Sequence, residues 1–155
     1  MSELVKACFW NYTEIALNLI ENKSNLDLQD NNGFTALTKA CYRNNTELAL
    51  KLIENKVNFD LQTTRGWTAL MYACRDNNNT EIALKLIENK ANINLQNKIK
   101  STALMISCWK NNTEITLKLV ENKANLDLQD DDGDTALTEA CRHDHTYIVS
   151  YLLEQ

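Results

Sequence analysis

The sequence predicts an all-α repeat solenoid, five stacked helix–turn–helix units joined by β-hairpin loops. Three observations predict it. Cysteines at Cys8, Cys41, Cys74, Cys108 and Cys141 are spaced by 33, 33, 34 and 33 residues, and a fixed period of that size marks a repeat architecture. The surrounding text recurs with them: Thr35-Ala36-Leu37-Thr38-Lys39-Ala40-Cys41 is matched by Thr68 to Cys74, Thr102 to Cys108 and Thr135 to Cys141, and Ser2 to Cys8 is a degraded first copy. The chain also has 3 glycines and no proline in 155 residues, so other residues must make most of its turns.

A single domain over residues 1–155 divides into repeats at 1–29, 30–62, 63–96, 97–129 and 130–155. Each repeat reads as helix, short loop, helix, extended loop. The first helix opens at Thr35, Thr68, Thr102 and Thr135, a residue type that caps helix N-termini by accepting a backbone hydrogen bond. Asn11 with Glu14, Asn44 with Glu47, Asn78 with Glu81 and Asn111 with Glu114 read as capping boxes for the second helix. In the third repeat Ile82, Ala83, Leu86 and Ile87 form one apolar stripe of core-facing width. The one inserted residue falls in Asn77-Asn78-Asn79, a loop, where an insertion is tolerated. Asn92-Ile93-Asn94-Leu95-Gln96 then alternates polar and apolar residues, as a short extended arm does.

Asp30-Asn31-Asn32-Gly33-Phe34-Thr35-Ala36-Leu37-Thr38-Lys39-Ala40, repeated from Asp130 to Ala140, resembles the ankyrin repeat pattern Asp-x-x-Gly-x-Thr-Pro-Leu-His-x-Ala. The resemblance extends over the whole chain. It implies a curved stack of helix pairs with β-hairpin loops projecting at about right angles, each unit burying its apolar stripes against its neighbours. There are departures. The family proline is Ala36, Ala69, Ala103 and Ala136, and the family histidine is Thr38, Met71, Met105 and Thr138. The glycine after the second helix is Lys23, Lys56, Lys90 and Lys123, so either these lysines or the preceding Asn22, Asn55, Asn89 and Asn122 must take the left-handed conformation. The loop Lys98-Ile99-Lys100-Ser101 lacks its glycine and is expected to be the least regular.

The composition limits the function. No segment approaches the ~18 apolar residues of a membrane span, and the N-terminus is too charged for a signal peptide, so no membrane partner and a cytoplasmic setting are expected. A net charge of −5 argues against nucleic acid. Abundant Asn, Lys and Ile without proline point to an AT-rich genome, such as that of a giant virus, an amoeba or an intracellular microbe. No Cys-x-x-Cys pair is present for zinc, and the cysteines read as small buried hydrophobes. Leu128 to Glu139 imitates a calcium loop at Asp130, Asp132, Gly133 and Glu139, but Leu128 stands at the first ligand position and cannot coordinate. His143 and His145 read as surface residues. No phosphate-binding glycine loop occurs. No catalytic residue, metal or cofactor is therefore assigned.

In the resembled family, partners lie on the concave face, against the hairpin tips and first helices. Carried onto this sequence, that face offers Phe9, Trp10, Phe34, Tyr42, Arg43, Arg65, Trp67, Tyr72, Arg75, Lys98, Trp109, Lys110, Asp132 and Asp134. These positions differ between repeats while the frame does not, and aromatics and arginine are enriched at binding hot spots. Residues 130–155 carry seven acidic groups against Arg142 alone, a net −6, which leaves +1 for the rest. An aromatic and basic patch beside an acidic end is expected, and such polarity orients a partner. The sequence thus reads as a non-enzymatic module, monomeric, that binds another protein as an adaptor or host-directed effector. The alternative is a stand-alone inhibitor covering an enzyme's active surface.

Overall fold

A computed structural model describes residues 2–22 and 25–155. The helices pair as α1 (Glu3–Trp10) with α2 (Thr13–Glu21), α3 (Ala36–Tyr42) with α4 (Thr46–Glu54), α5 (Ala69–Arg75) with α6 (Thr80–Glu88), α7 (Ala103–Trp109) with α8 (Thr113–Glu121), and α9 (Ala136–Arg142) with α10 (Thr146–Leu153). The first helices α1, α3, α5, α7 and α9 pack in succession to form one layer, and the second helices α2, α4, α6, α8 and α10 form the other. Every pair also packs within itself.

Threonine starts the first helices as expected. Thr35 Oγ1 accepts from the Thr38 backbone N–H at 3.1 Å while Thr38 Oγ1 accepts from the Thr35 N–H at 2.8 Å. Thr135 and Thr138 repeat this exchange, and Thr68 and Thr102 accept from Met71 and Met105.

The second helices start differently from the sequence reading. In the second and fourth repeats the cap is the second asparagine of the pair: Asn45 Oδ1 accepts from the Leu48 N–H at 2.9 Å and Asn112 Oδ1 from the Ile115 N–H at 3.3 Å. Asn11, Asn44 and Asn111 instead sit left-handed, at φ 61°, 57° and 55°. Asparagine tolerates that region, and a short helix ends there. In the third repeat Asn77–Asn79 forms a 3₁₀ turn that absorbs the inserted residue. Asp76 starts it, its carboxylate accepting from the Asn78 N–H at 3.0 Å.

After the second helices it is lysine that turns left-handed, at φ 52° for Lys56, 66° for Lys90 and 68° for Lys123. Lys23 lies outside the described residues. Asn55, Asn89 and Asn122 stay right-handed, and each donates its side-chain amide to the carbonyl four residues back.

The projecting loops are turns; no strand is present among the described residues, so the β-hairpin expectation is not met. Each turn closes with a backbone bond across it, Asp30 N–H to Phe34 O, Thr63 to Trp67, Asn97 to Ser101 and Asp130 to Asp134, all at 2.9–3.0 Å. The loop without glycine matches the others, because Lys100 adopts φ 58° in the glycine's place. Glycine is demanded at Gly33 and Gly66 by close approach: a Cβ on either would lie 2.8 Å from backbone of the next loop. One backbone bond joins successive loops, as from the Thr64 N–H to Asn32 O at 2.8 Å and the Lys98 N–H to Arg65 O at 3.1 Å. Gln29, Gln62 and Gln96 reinforce this, each donating to a carbonyl of its own turn and to one of the following loop.

Burial shows the stacking most plainly. Cys8, Cys41, Cys74 and Cys108 are fully enclosed, whereas Cys141, on α9, is exposed, a departure from the uniformly buried set expected. At the opposite end Ile15 is 57% exposed, while Ile82, in the same position two repeats on, is 0% exposed.

Candidate protein-binding groove

Where the first helices meet the projecting loops, two depressions adjoin at Trp67 and are taken together as one groove. Its first part, about 450 Å³, is lined by Phe9, Phe34, Tyr42, Trp67 and Tyr72 together with Lys39, Arg65, Arg75, Asn32, Thr63 and Thr64. Its second part, about 310 Å³, is lined by Trp67, Ile99, Met105, Ile106 and Trp109, with Asp130, Asp132, Glu139, Arg142, His143, Asn97 and Ser101 at the edge. Trp67 belongs to both and forms the shared wall.

The first part is built around stacked rings. Phe34 stacks on Tyr72 with centroids 5.6 Å apart, Tyr42 meets Tyr72 edge-on at 5.6 Å, and Trp67 lies 5.0 Å from Tyr72. Tyr72, one of the residues offered for the concave face, is buried and serves as the floor. Its burial raises the phenol pKa, opposed by its hydrogen bond with Thr63 and by the positive field of Arg75. Two cations sit on these rings. The Lys39 ammonium stands 3.5 Å from the Phe34 centroid and 4.8 Å from that of Phe9. The Arg75 guanidinium is 5.0 Å from Tyr42, 5.4 Å from Tyr72 and 6.0 Å from Trp67. Cation–ring attraction of this kind fixes the position of a charge. Lys39 is buried and paired with Asp30 at 3.6 Å. Desolvation lowers its pKa, and the adjacent Asp30 carboxylate works against that shift.

Of the remaining expected residues, Arg43 covers Phe9 at 5.3 Å and Lys110 covers Trp109 at 3.7 Å. Lys98 holds the loop next to Arg65 through its backbone. Asp132 lines the second part, while Asp134 is taken up by Arg142, which also bonds Glu139 at 3.1 Å. Trp10 is exposed and packs edge-on against Phe9 at 4.8 Å, but lines neither part. Met105 and Ile106, the apolar floor of the second part, were missed. For Ile106 the signal was present: Lys39, Tyr72, Ile106 and Glu139 share one register and differ in every repeat.

The calcium-like stretch brings Asp130, Asp134 and Glu139 within 4.8 Å of one another. Arg142 bridges two of the three, so a cation of the chain already meets their charge. His143 and His145 stack at 5.9 Å, and His145 Nε2 lies 3.2 Å from the Trp109 carbonyl. A smaller depression of about 210 Å³ lies between α4 and α6, lined by Leu50, Ile53, Glu54, Lys56, Glu81, Lys85 and Asn89. Leu50, Ile53, Glu54 and Lys56 recur as Leu84, Ile87, Glu88 and Lys90, so these residues belong to the common frame.

Successive helix pairs, each packed on its neighbours, define a repeat solenoid. A family model described as ankyrin repeats, in 3 copies, matches residues 4–97 and 75–155. The chain belongs to the ankyrin repeat family, whose members generally serve as protein–protein interaction modules. No curated protein matches it. No helix among the described residues is long and apolar enough to cross a membrane.

Proposed function

We propose that this chain is a non-enzymatic module that docks another protein along the groove centred on Trp67. One observation supports this above the rest. The frame residues repeat almost unchanged, while the side chains lining the groove change from repeat to repeat and include four closely packed aromatic rings with two cations seated on them. Such residues resemble the aromatic and arginine anchors that dominate binding energy. Adaptor, host-directed effector and enzyme inhibitor differ in the consequence of capture; the groove serves each in the same way.

The test is affinity purification from candidate host lysate, quantified by mass spectrometry, with the chain and a Trp67→Ala, Trp109→Ala double variant compared. Loss of specific captured proteins from the variant, with circular dichroism unchanged, is the expected result. Equal capture by both proteins refutes the assignment.

A further inference from the structure

The groove side of the stack carries an ordered chemical gradient. Four residues after each first-helix cap come Lys6, Lys39, Tyr72, Ile106 and Glu139, one per repeat. Along a single register the stack therefore passes from cation through aromatic and aliphatic to anion. The groups around this line keep the same order. Arg43, Arg65 and Arg75 lie at the cationic half and form no ion pair among the described residues. The Arg75 guanidinium is held against three rings yet donates no side-chain hydrogen bond within the described chain. At the other end Asp132 is exposed and unpaired, since Lys100 is engaged by Asp131 at 3.2 Å and Arg142 by Asp134 and Glu139. Between them, Ile99 is 60% and Trp109 is 42% exposed above the buried Met105 and Ile106.

Building on the interaction reading above, we propose that the groove takes an extended segment of a partner protein with charge polarity opposite to its own. Carboxylate side chains sit at the Arg65 and Arg75 end, a large apolar side chain sits between Trp67 and Trp109, and lysine or arginine sits at the Asp132 end. Each feature has a physical cause. A guanidinium presents a planar fork that matches a carboxylate. An aromatic wall over an aliphatic floor gives an apolar anchor a dry seat. A polyanion such as nucleic acid would meet Asp130 and Asp132 further along, and is repelled there. The two halves of the groove are centred about two repeats apart, so with ~10 Å between packed helices the span is roughly 20 Å. An extended chain advances ~3.3 Å per residue, so about six residues cover it.

The experiment selects from a displayed library of random dodecapeptides on the full chain. The enriched peptides are expected to share acidic, apolar and basic residues in that order or its reverse, spread over about six positions. Arg65→Glu, at an exposed loop position, and Asp132→Lys should each weaken a synthetic enriched peptide by about tenfold or more, because each places like charges together. Enriched peptides without the charge order, or with binding insensitive to both substitutions, overturn the inference and leave protein docking at the groove standing. Tighter binding of a phosphoserine peptide than of its carboxylate parent overturns the choice of carboxylate. If no peptide is enriched, the inference fails, and the lysate capture decides separately whether the groove binds protein at all.

Discussion

Ile15 and Ile82 provide a controlled comparison of what stacking contributes. Both lie in the same five-residue text, Thr13-Glu14-Ile15-Ala16-Leu17 and Thr80-Glu81-Ile82-Ala83-Leu84, at the same position of a second helix. Replacing either with alanine raises helix propensity by the same few tenths of a kcal/mol. Their surroundings differ. Ile82 is 0% exposed on α6, which packs between α4 and α8, whereas Ile15 is 57% exposed on α2, which packs against α4 on one side. Removing a buried isoleucine side chain costs about 2–5 kcal/mol, because apolar transfer is lost and a cavity remains. An exposed substitution stays within about 0.5 kcal/mol. With a urea dependence of about 2 kcal/mol per molar, Ile82→Ala should lower the midpoint by roughly 1–2.5 M and Ile15→Ala hardly at all. Circular dichroism during a urea titration measures this directly. Equal shifts for the two variants would refute the claim that each layer is stabilised by its neighbours.

Left-handed lysine predicts opposite signs at adjacent positions. Lys90→Gly removes a strain of about 1–2 kcal/mol and introduces a chain-entropy cost of about 0.5–1 kcal/mol, so a small rise in melting temperature is expected. Asn89→Gly should lower it, since it deletes the 2.9 Å bond from the Asn89 amide to the Lys85 carbonyl. Burial pushes the Cys8 and Cys108 thiols up to about 12 and raises Cys41 and Cys74 further, so iodoacetamide at pH 8 should label only Cys141 rapidly in the native chain. Peptide mapping with rapid labelling at two or more sites would contradict this. The Asn78 backbone N–H, then the Asn44 side-chain amide at 2.6 Å, hold the Asp76 carboxyl below its ordinary value. Its stabilisation is thus complete above the ordinary aspartate range and is lost as pH falls through the depressed folded value. Asp76→Ala should cost about 1 kcal/mol at neutral pH, with the gap to the parent chain closing on acidification.

Repetition explains how much of this structure could be read in advance. Any feature written several times in register, such as the threonine caps or the Ile82, Ala83, Leu86 and Ile87 stripe, could be read because each copy supported the others. Features set by one residue's backbone conformation were misread. Adjacent asparagines offer two candidates for a cap, and only φ distinguishes Asn44, which ends a helix, from Asn45, which starts the next. Lys100 is similar: composition alone gives no reason for lysine to close a turn as glycine does. In the groove, the aromatic and charged residues stood out by type, whereas Met105 and Ile106 looked like ordinary core. Their role comes from the layer they occupy, where they are buried beneath the depression between Trp67 and Trp109. Trp10 stood out for its size and is placed by the fold outside the groove.

Trp10, Trp67 and Trp109 are the chain's only tryptophans, so their indole N–H resonances report on three separate places. Titrating the ¹⁵N-labelled chain with a captured partner, or with an enriched peptide, tests the docking claim in one spectrum. Docking in the groove shifts the Trp67 and Trp109 signals saturably and leaves Trp10 in place. A shift confined to Trp10, or saturated binding with Trp67 and Trp109 unmoved, would contradict it.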